Sequence, residues 1–208
     1  MMQSLSQKEL LEKATVNYAA SIHLAQGYLE SRGITQAVAR AARLGVVSTP
    51  EIGHEAYLNR LAIPFITKTG VVDIRFRALL EGQEPKYIGM PGVSTRLYNV
   101  KDIDRATDWI GICEGEIDTL TLSHLVGLPC VGVAGANSWK PHYTRLLEDF
   151  ERIYIFADGD EAGSIFAKSL VKELPITVIH LPDGMDVNSC YVTYGKNYLL
   201  EKAGLLNE

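Results

Sequence analysis

Apolar and polar residues alternate with different periods along the chain, and each period predicts a different element. From residue 6 to 32, Leu10, Leu11, Ala14, Tyr18, Ile22, Ala25 and Leu29 recur at the three- and four-residue spacing of a helix with one buried face. Ser6 with Glu9 three residues on reads as a capping box, and Gly33 as the C-terminal stop. A shorter helix over about 35–43 follows, stopped by Gly45. Between 61 and 80 the period falls to two. LAIPFI, a Thr67-Lys68-Thr69-Gly70 turn and VVDIRFRAL predict a β-hairpin. In its second strand Val72, Ile74, Phe76 and Ala78 share one face, and Asp73, Arg75 and Arg77 share the other. A loop, EGQEPKYIGMPGVSTRLYN, then carries Lys86 and Arg96.

From residue 108 the pattern becomes strand–helix alternation. Short apolar strands at 108–113, 129–135, 152–157 and 176–181 are each followed by a helical stretch, at about 116–126, 139–149, 161–173 and 188–203. This order predicts a parallel sheet with crossover helices, an α/β unit of about four strands over 106–208, preceded by a smaller α+β unit over 1–105. In such sheets ligands sit beyond the carboxyl ends of the strands. That rule collects the acids. The first turn holds Glu114, Glu116 and Asp118, the third Asp158, Asp160 and Glu161, and the fourth Asp183 and Asp186. The second, Gly135-Ala136-Asn137, is small and neutral. Three acidic turns are thus expected at one sheet edge.

Composition narrows the class. With 208 residues, 47% hydrophobic and 22% charged, the chain matches ordinary soluble globular proteins. No apolar run approaches the ~20 residues of a membrane span. The N-terminal MMQSLSQKELLEK has no apolar signal-peptide core. The expectation is a cytoplasmic protein without a membrane partner. Cys113, Cys130 and Cys190 form no C-x-x-C pair, which excludes a cysteine zinc ribbon and leaves them as core filler. The net charge of -5 is uneven: residues 1–105 carry 13 basic and 10 acidic side chains, residues 106–208 carry 7 and 15. A mildly basic half suits nucleic acid or nucleotides, and an acidic half suits metal ions.

Carboxylates crowded at one edge repel, and hard divalent cations such as Mg²⁺ or Mn²⁺ are the natural relief. His54 and His180 stand alone, so the donor set is not that of zinc. Asp158 and Asp160, two apart around Gly159, point the same way in an extended turn. Asp118, Glu116 and Glu161 fall in first helical turns, where the helix dipole alone also favours an acid. Bound Mg²⁺ usually meets phosphate oxygens, which makes phosphoryl or nucleotidyl transfer the expected chemistry. GVAGANSWK does not keep the spacing of a Walker A loop, so a P-loop motor is excluded.

Two motifs in order carry a resemblance. Glu114-Gly115-Glu116-Ile117-Asp118 reads E-G-x-x-D, and Asp158-Gly159-Asp160 reads D-x-D followed by EAG. Together they resemble the toprim domain shared by topoisomerases and bacterial-type primases. LPDGMDVNS (181–189) is similar to the acidic stretch that follows in primases. PKYIGMPGVSTRLYN (85–99), GYLESRGIT (27–35) and VVDIRFRAL (72–80) resemble parts of the primase polymerase core, so the likeness spans roughly 25–195. It implies a bacterial- or bacteriophage-type DNA primase core, a nucleotidyltransferase making short RNA primers on single-stranded DNA from nucleoside triphosphates. It implies Glu114, Asp158 and Asp160 as catalytic. Mg²⁺ or Mn²⁺ would be held by Glu114, Asp118, Asp158, Asp160 and Asp186. Nucleic acid or nucleotide would be held by Arg75, Arg77, Lys86, Tyr87, Arg96 and Asn99. Tyr98 fits either base stacking or the core. The chain departs from the pattern at Asn188, where the family carries a second aspartate, and at MPG in place of Asn-Ser-Pro. A cysteine zinc module and a helicase module are not recognisable, so a separate helicase or zinc-module protein is the expected partner, in a host cytoplasm if the gene is viral. Two other readings fit the same acids: a toprim nuclease, and a non-catalytic single-strand-binding accessory.

Overall fold

The computed structural model describes residues 5–134 and 138–206; the neutral turn expected at 135–137 lies outside the described residues. Contacts divide the chain into two compact units, Met1–Ser94 and Thr95–Glu208. The division falls earlier than 105/106. Tyr98 exchanges backbone hydrogen bonds with Gly132, and Asn99 donates to the Cys130 carbonyl at 3.0 Å, so this segment belongs with the second unit.

The first unit packs helices on an antiparallel sheet. Helices α1 (Leu5–Ala19), α2 (Gln26–Ser31) and α3 (Gln36–Ala41) precede strands β1 (Gly45–Val46), β2 (Leu61–Thr67), β3 (Gly70–Arg77) and β4 (Tyr87–Ile88), which lie in the order β1-β2-β3-β4. Leu11, Ala14 and Tyr18 of α1 bury their helical stripe against Val71, Ile74 and Phe76 of β3, and the Tyr57 and Phe76 rings stack 3.9 Å apart.

Four sequence expectations change in this unit. Ser6 lies within the helix Leu5–Ala19 and is not its cap. It breaks after Ala19, where Ser21 shares a hydroxyl hydrogen bond with Ser48, and resumes as a short 3₁₀ turn and α2. Gly45 does not stop α3. That helix ends at Ala41 beside Arg43, a residue with φ of 53°, and Gly45 opens β1 instead. In β3, Phe65 faces Asp73 while Ile66 faces Val71, so Val72 is the extra residue of a bulge. The bulge moves Val71, not Val72, onto the core face with Ile74.

The second unit is a parallel sheet in the order β6-β5-β7-β8. Helix α4 (Lys101–Arg105) leads into β5 (Trp109–Cys113), then α5 (Glu116–Leu120) with a continuing π-helical turn, Thr121–Val126. β6 (Cys130–Gly132), α6 (Pro141–Leu147), β7 (Arg152–Ala157), α7 (Glu161–Leu170) and β8 (Ile176–His180) follow. The last stretch is two helices, not one. Gly195, with φ of 82°, separates α8 (Val187–Tyr194) from α9 (Lys196–Lys202). The second strand is shorter than expected.

Alternation along the strands builds two cores. Ile110, Ile112, Ile153, Ile155 and Ala157 face α6 and α7 through Tyr143, Leu147, Phe166 and Leu170. Cys113, Cys130, Tyr154 and Phe156 face the other way, against Leu122, Val126, Val187, Cys190 and Leu199. All three cysteines are buried and free, as packing residues would be. The path runs from β5 out to β6 and then back across to β7, so connections leave β5 and β7 toward opposite faces, and a crevice opens between their carboxyl ends. Among the described residues, no helix is long and apolar enough to cross a membrane.

A Cβ on Gly45 would stand 2.3 Å from the Tyr18 carbonyl carbon, in backbone that cannot yield cheaply. Gly45→Ala is therefore expected to destabilise the first unit by about 2–3 kcal/mol. Chemical denaturation followed by Tyr and far-ultraviolet signals measures this, and an unchanged midpoint contradicts the packing.

Candidate active site

Five acids come from three turns of the second unit. Glu114 follows β5, and Asp118 sits in the first turn of α5, buried. Asp158 follows β7, and Asp160 is the N-cap of α7, its Oδ1 accepting from the Gly163 N–H at 2.7 Å. Asp186 is the N-cap of α8 in a capping box with Ser189: Oδ1 accepts from the Ser189 N–H at 2.7 Å, and the Ser189 hydroxyl receives the Asp186 N–H at 2.8 Å. Asp160 and Asp186 thus have local structural uses that the sequence reading did not assign. The signals were present in Asp160-x-x-Gly163 and Asp186-x-x-Ser189 at helix starts.

Backbone contacts, not side-chain attraction, bring the turns together. Gly159 donates to the Met185 carbonyl at 2.9 Å and accepts from the Gly184 N–H at 2.7 Å, joining the turn after β7 to the turn after β8. A Cβ at Gly159 would lie 1.9 Å from the Pro182 oxygen, so only glycine fits. The Asn188 N–H donates to Asp118 Oδ1 at 2.9 Å, and its side-chain amide donates to Thr121 Oγ1 at 2.9 Å, tying α8 to α5. Gly163 closes the arrangement: a Cβ there would be 2.4 Å from the Asp158 backbone oxygen and 3.0 Å from Glu114 Oε1.

The electrostatic result is severe. Burial, followed by the charges of Asp118, Glu114, Asp186 and Asp160, pushes Asp158 up to about 8. Burial raises Glu114 to about 7, with Asp160 and then Asp118 adding to it and the Asp158 backbone N–H opposing. Among the described residues, Glu114 Oε1 and Asp158 Oδ1 are buried with no hydrogen-bond partner. Buried orphan carboxylate oxygens beside other carboxylates form a hard, oxygen-only donor set, which suits Mg²⁺ or Mn²⁺ and not zinc. Among the described residues, no three His, Cys, Asp or Glu side chains close tightly enough around one point to enclose an ion. The meeting of the acids is thus looser than a single coordination point. That matches the habit of Mg²⁺, which keeps waters and takes one or two carboxylates together with substrate oxygens.

The cationic and aromatic candidates fall into separate groups. In the first unit the Arg75 guanidinium lies 4.7 Å from the Tyr87 ring centre, and Arg77 lies 5.1 Å from Tyr87 and 5.0 Å from Tyr28. Arg77 is buried and donates to the Tyr87 hydroxyl, so the expected pair of displayed arginines is one partly exposed arginine and one internal one. Sequence reasoning missed three residues here. Tyr28 and Arg32, one turn apart on α2 and its cap, extend the stack. Buried Arg60 donates to the carbonyls of Pro85 at 2.7 Å and Glu84 at 3.0 Å, fixing the chain just before exposed Lys86. An arginine before an apolar strand gave no pattern by which to find it. In the second unit Arg96 lies near Tyr143, whose ionisation it eases against the larger effect of burial. Asn99, with φ of 57°, spends its amide on Ser123 and Cys130. Tyr98 is core, buried beside Glu116 with its ionisation pushed far up by burial.

This crevice, with E-G-x-x-D after one strand and D-x-D after its neighbour, defines a toprim-like protein, and the Toprim-like family model matches residues 111–191. The chain is 45% identical over 152 residues to the Gene 57 protein of Mycobacterium phage D29, covering 70% of this chain and 99% of the phage protein. It is 25% identical over 217 residues to the DNA primase of Aquifex aeolicus, covering 84% of this chain but 43% of that enzyme. The RNA polymerase domain of Mycobacterium tuberculosis primase DnaG, solved with a double-stranded DNA oligomer carrying a 6-nucleotide overhang, superposes with a TM-score of 0.79 at 23% identity. That match covers 98% of this chain and 81% of that one, and it establishes the shared fold. The chain belongs to the family of the phage Gene 57 protein and carries a Toprim-like domain over residues 111–191.

Because Asp158 and Glu114 bind protons more tightly folded than unfolded, the folded state holds more protons between about pH 4 and 8. Without metal, stability is therefore greatest in mild acid and falls as pH rises through 7 and 8. Asp158→Asn should flatten this slope and raise stability at pH 8.5 by ~1–3 kcal/mol, after discounting for partial exposure. Thermal melts in chelator from pH 5 to 9 read it; a wild-type midpoint that climbs with pH contradicts the account.

Proposed function

We propose that this chain is the catalytic core of a DNA primase, a DNA-directed RNA polymerase that makes short RNA primers on single-stranded DNA. The observation that carries the proposal is the pair of orphaned buried oxygens, on Glu114 and Asp158, at the carboxyl ends of adjacent strands β5 and β7. Relatives named as primases supply the reaction class, and nucleotidyl transfer is the chemistry such a donor set serves.

In this reading Asp158, Asp160 and Asp186 hold divalent cations, Mg²⁺ or Mn²⁺, with Asp118 beside them. When bound, the cations supply activation of the attacking 3′-hydroxyl and stabilisation of the leaving pyrophosphate. Glu114, whose proton affinity sits near neutrality, either takes the hydroxyl proton or joins the ligands. Capping bonds keep one oxygen of Asp160 and one of Asp186 fixed, so each presents its other oxygen with little freedom left to lose. Lys86 and Arg75 meet template or nucleotide phosphates. Tyr87 offers a face to a base, and buried Arg77 holds that ring in place. Arg96 contacts phosphate as well, and Asn99 acts by positioning its segment against β6. Single-stranded DNA and nucleoside triphosphates are the partners, with a separate replicative helicase or zinc-module protein supplying template delivery in the host cytoplasm.

Purified protein with a single-stranded template, four ribonucleotides and Mn²⁺ or Mg²⁺ is expected to yield short RNA. Asp158→Ala and Glu114→Gln should each reduce the yield at least ~10²-fold while the chain stays folded. Metal-dependent loss of labelled DNA without nucleotides would instead make the chain a nuclease. DNA binding with no product under any nucleotide condition would make it an accessory.

A further inference from the structure

Strand β8 is an edge of the parallel sheet, hydrogen-bonded to β7 on one side only among the described residues. Its outer margin and helix α7 form a groove of about 430 Å³. Ala167 of α7, Val171 at its C-cap and Val178 of β8 give it an apolar floor, and Val171 remains 49% exposed. Lys168 and Lys172 line it from the helix side, with His180 at the far end of the strand. Both lysines are exposed, and neither makes an ion pair among the described residues. The nearest acid in sequence, Glu173, is engaged elsewhere, accepting from Thr144 at 2.7 Å and Trp139 at 3.3 Å.

Two unpaired lysines flank an open strand edge in the half of the chain that carries 7 basic against 15 acidic residues. Lysine beside an edge strand also guards against edge-to-edge pairing. That guard is selective. A second copy of this chain, docked edge to edge, would bring its own lysines against these. An acidic strand would not suffer that repulsion. A nucleic-acid backbone could neutralise the lysines, but it cannot match the alternating N–H and C=O groups of a free strand edge or use the apolar floor. We propose that the β8–α7 groove docks an extended acidic peptide of a partner protein, which adds a strand beside β8 with apolar side chains on the floor and carboxylates on Lys168 and Lys172. This site is separate from the carboxylate crevice and stands whatever reaction that crevice performs.

The probe is a fluorescein-labelled octapeptide of alternating valine and aspartate, titrated into the full chain by fluorescence anisotropy. Saturable binding is expected, weakened at least tenfold in the Lys168→Glu/Lys172→Glu double variant and by less in the Lys168→Gln/Lys172→Gln pair, with Asp158→Asn binding as wild type. Amide hydrogen exchange across 176–180 should slow when peptide is bound. The proposal fails if charge reversal leaves affinity unchanged, or if 176–180 gains no protection. Equal binding of a valine–lysine peptide also overturns it, as does displacement by a single-stranded oligonucleotide of equal charge at equal affinity. A self-associated dimer in sedimentation that excludes the peptide would assign the groove to a second copy instead.

Discussion

The second unit depends on backbone contacts that hold carboxylates closer together than their charges favour. Left to side-chain energetics, Glu114, Asp118, Asp160 and Asp186 would move away from Asp158, because each raises the cost of ionising it. They cannot separate. Gly159 is hydrogen-bonded on both sides to the loop before α8, and Asn188 pins that helix to Asp118 and Thr121. The strain is electrostatic, and in the proposed reading a bound cation relieves it. Stability is traded for a poised site.

The parallel sheet makes that arrangement rigid. β5 and β7 are neighbours, and both of their faces are packed, one by α6 and α7, the other by the π-helical turn after α5 with α8 and α9. A strand buried on both faces has little room to tilt, so the turns at its end inherit its position. Glycine then sets the spacing. Gly163 lets the first turn of α7 come down on the Asp158 backbone and the Glu114 carboxylate, where any side chain would displace the helix or push Glu114 away. The same economy appears in the first unit, where Gly45 lets β1 lie against the backbone of α1.

Much of this was legible because it is periodic or local. Strand–helix alternation after residue 108 predicts the parallel sheet, and the rule that ligands sit at carboxyl ends places three acidic turns at one edge, where they are found. What was not legible is non-local or depends on a single inserted residue. The bulge at Val72 leaves VVDIRF looking regular in sequence, yet it reverses which valine is internal. The arginine pattern of that strand looked like a solvent-facing stripe, because nothing in the string shows that Tyr28 and Tyr87 cover Arg77. Asn99 read as a nucleotide-binding candidate and Arg60 gave no signal, because their carbonyl partners lie far along the chain. Conversely, the capping role of Asp160 and Asp186 was local and readable, but the metal reading of the same acids drew attention from it.

Asn188 shows how the two uses of this region constrain each other. Where the family pattern has a carboxylate, this chain has a side chain only 1% exposed, whose amide donates to the Thr121 hydroxyl. An aspartate there would be a buried acceptor and could not make that donation. Its charge would also stand beside Asp118, which is already part of the repulsion on Asp158. The amide removes one charge from the cluster and contributes a clamp between α8 and α5 in its place. In the proposed reading, cation binding rests on the remaining acids. The turn that presents Asp186 is held from both ends, by Gly159 on one side and by the bonds of Asn188 on the other. In the proposed reading, the firmer hold on Asp186 offsets the carboxylate that Asn188 does not supply.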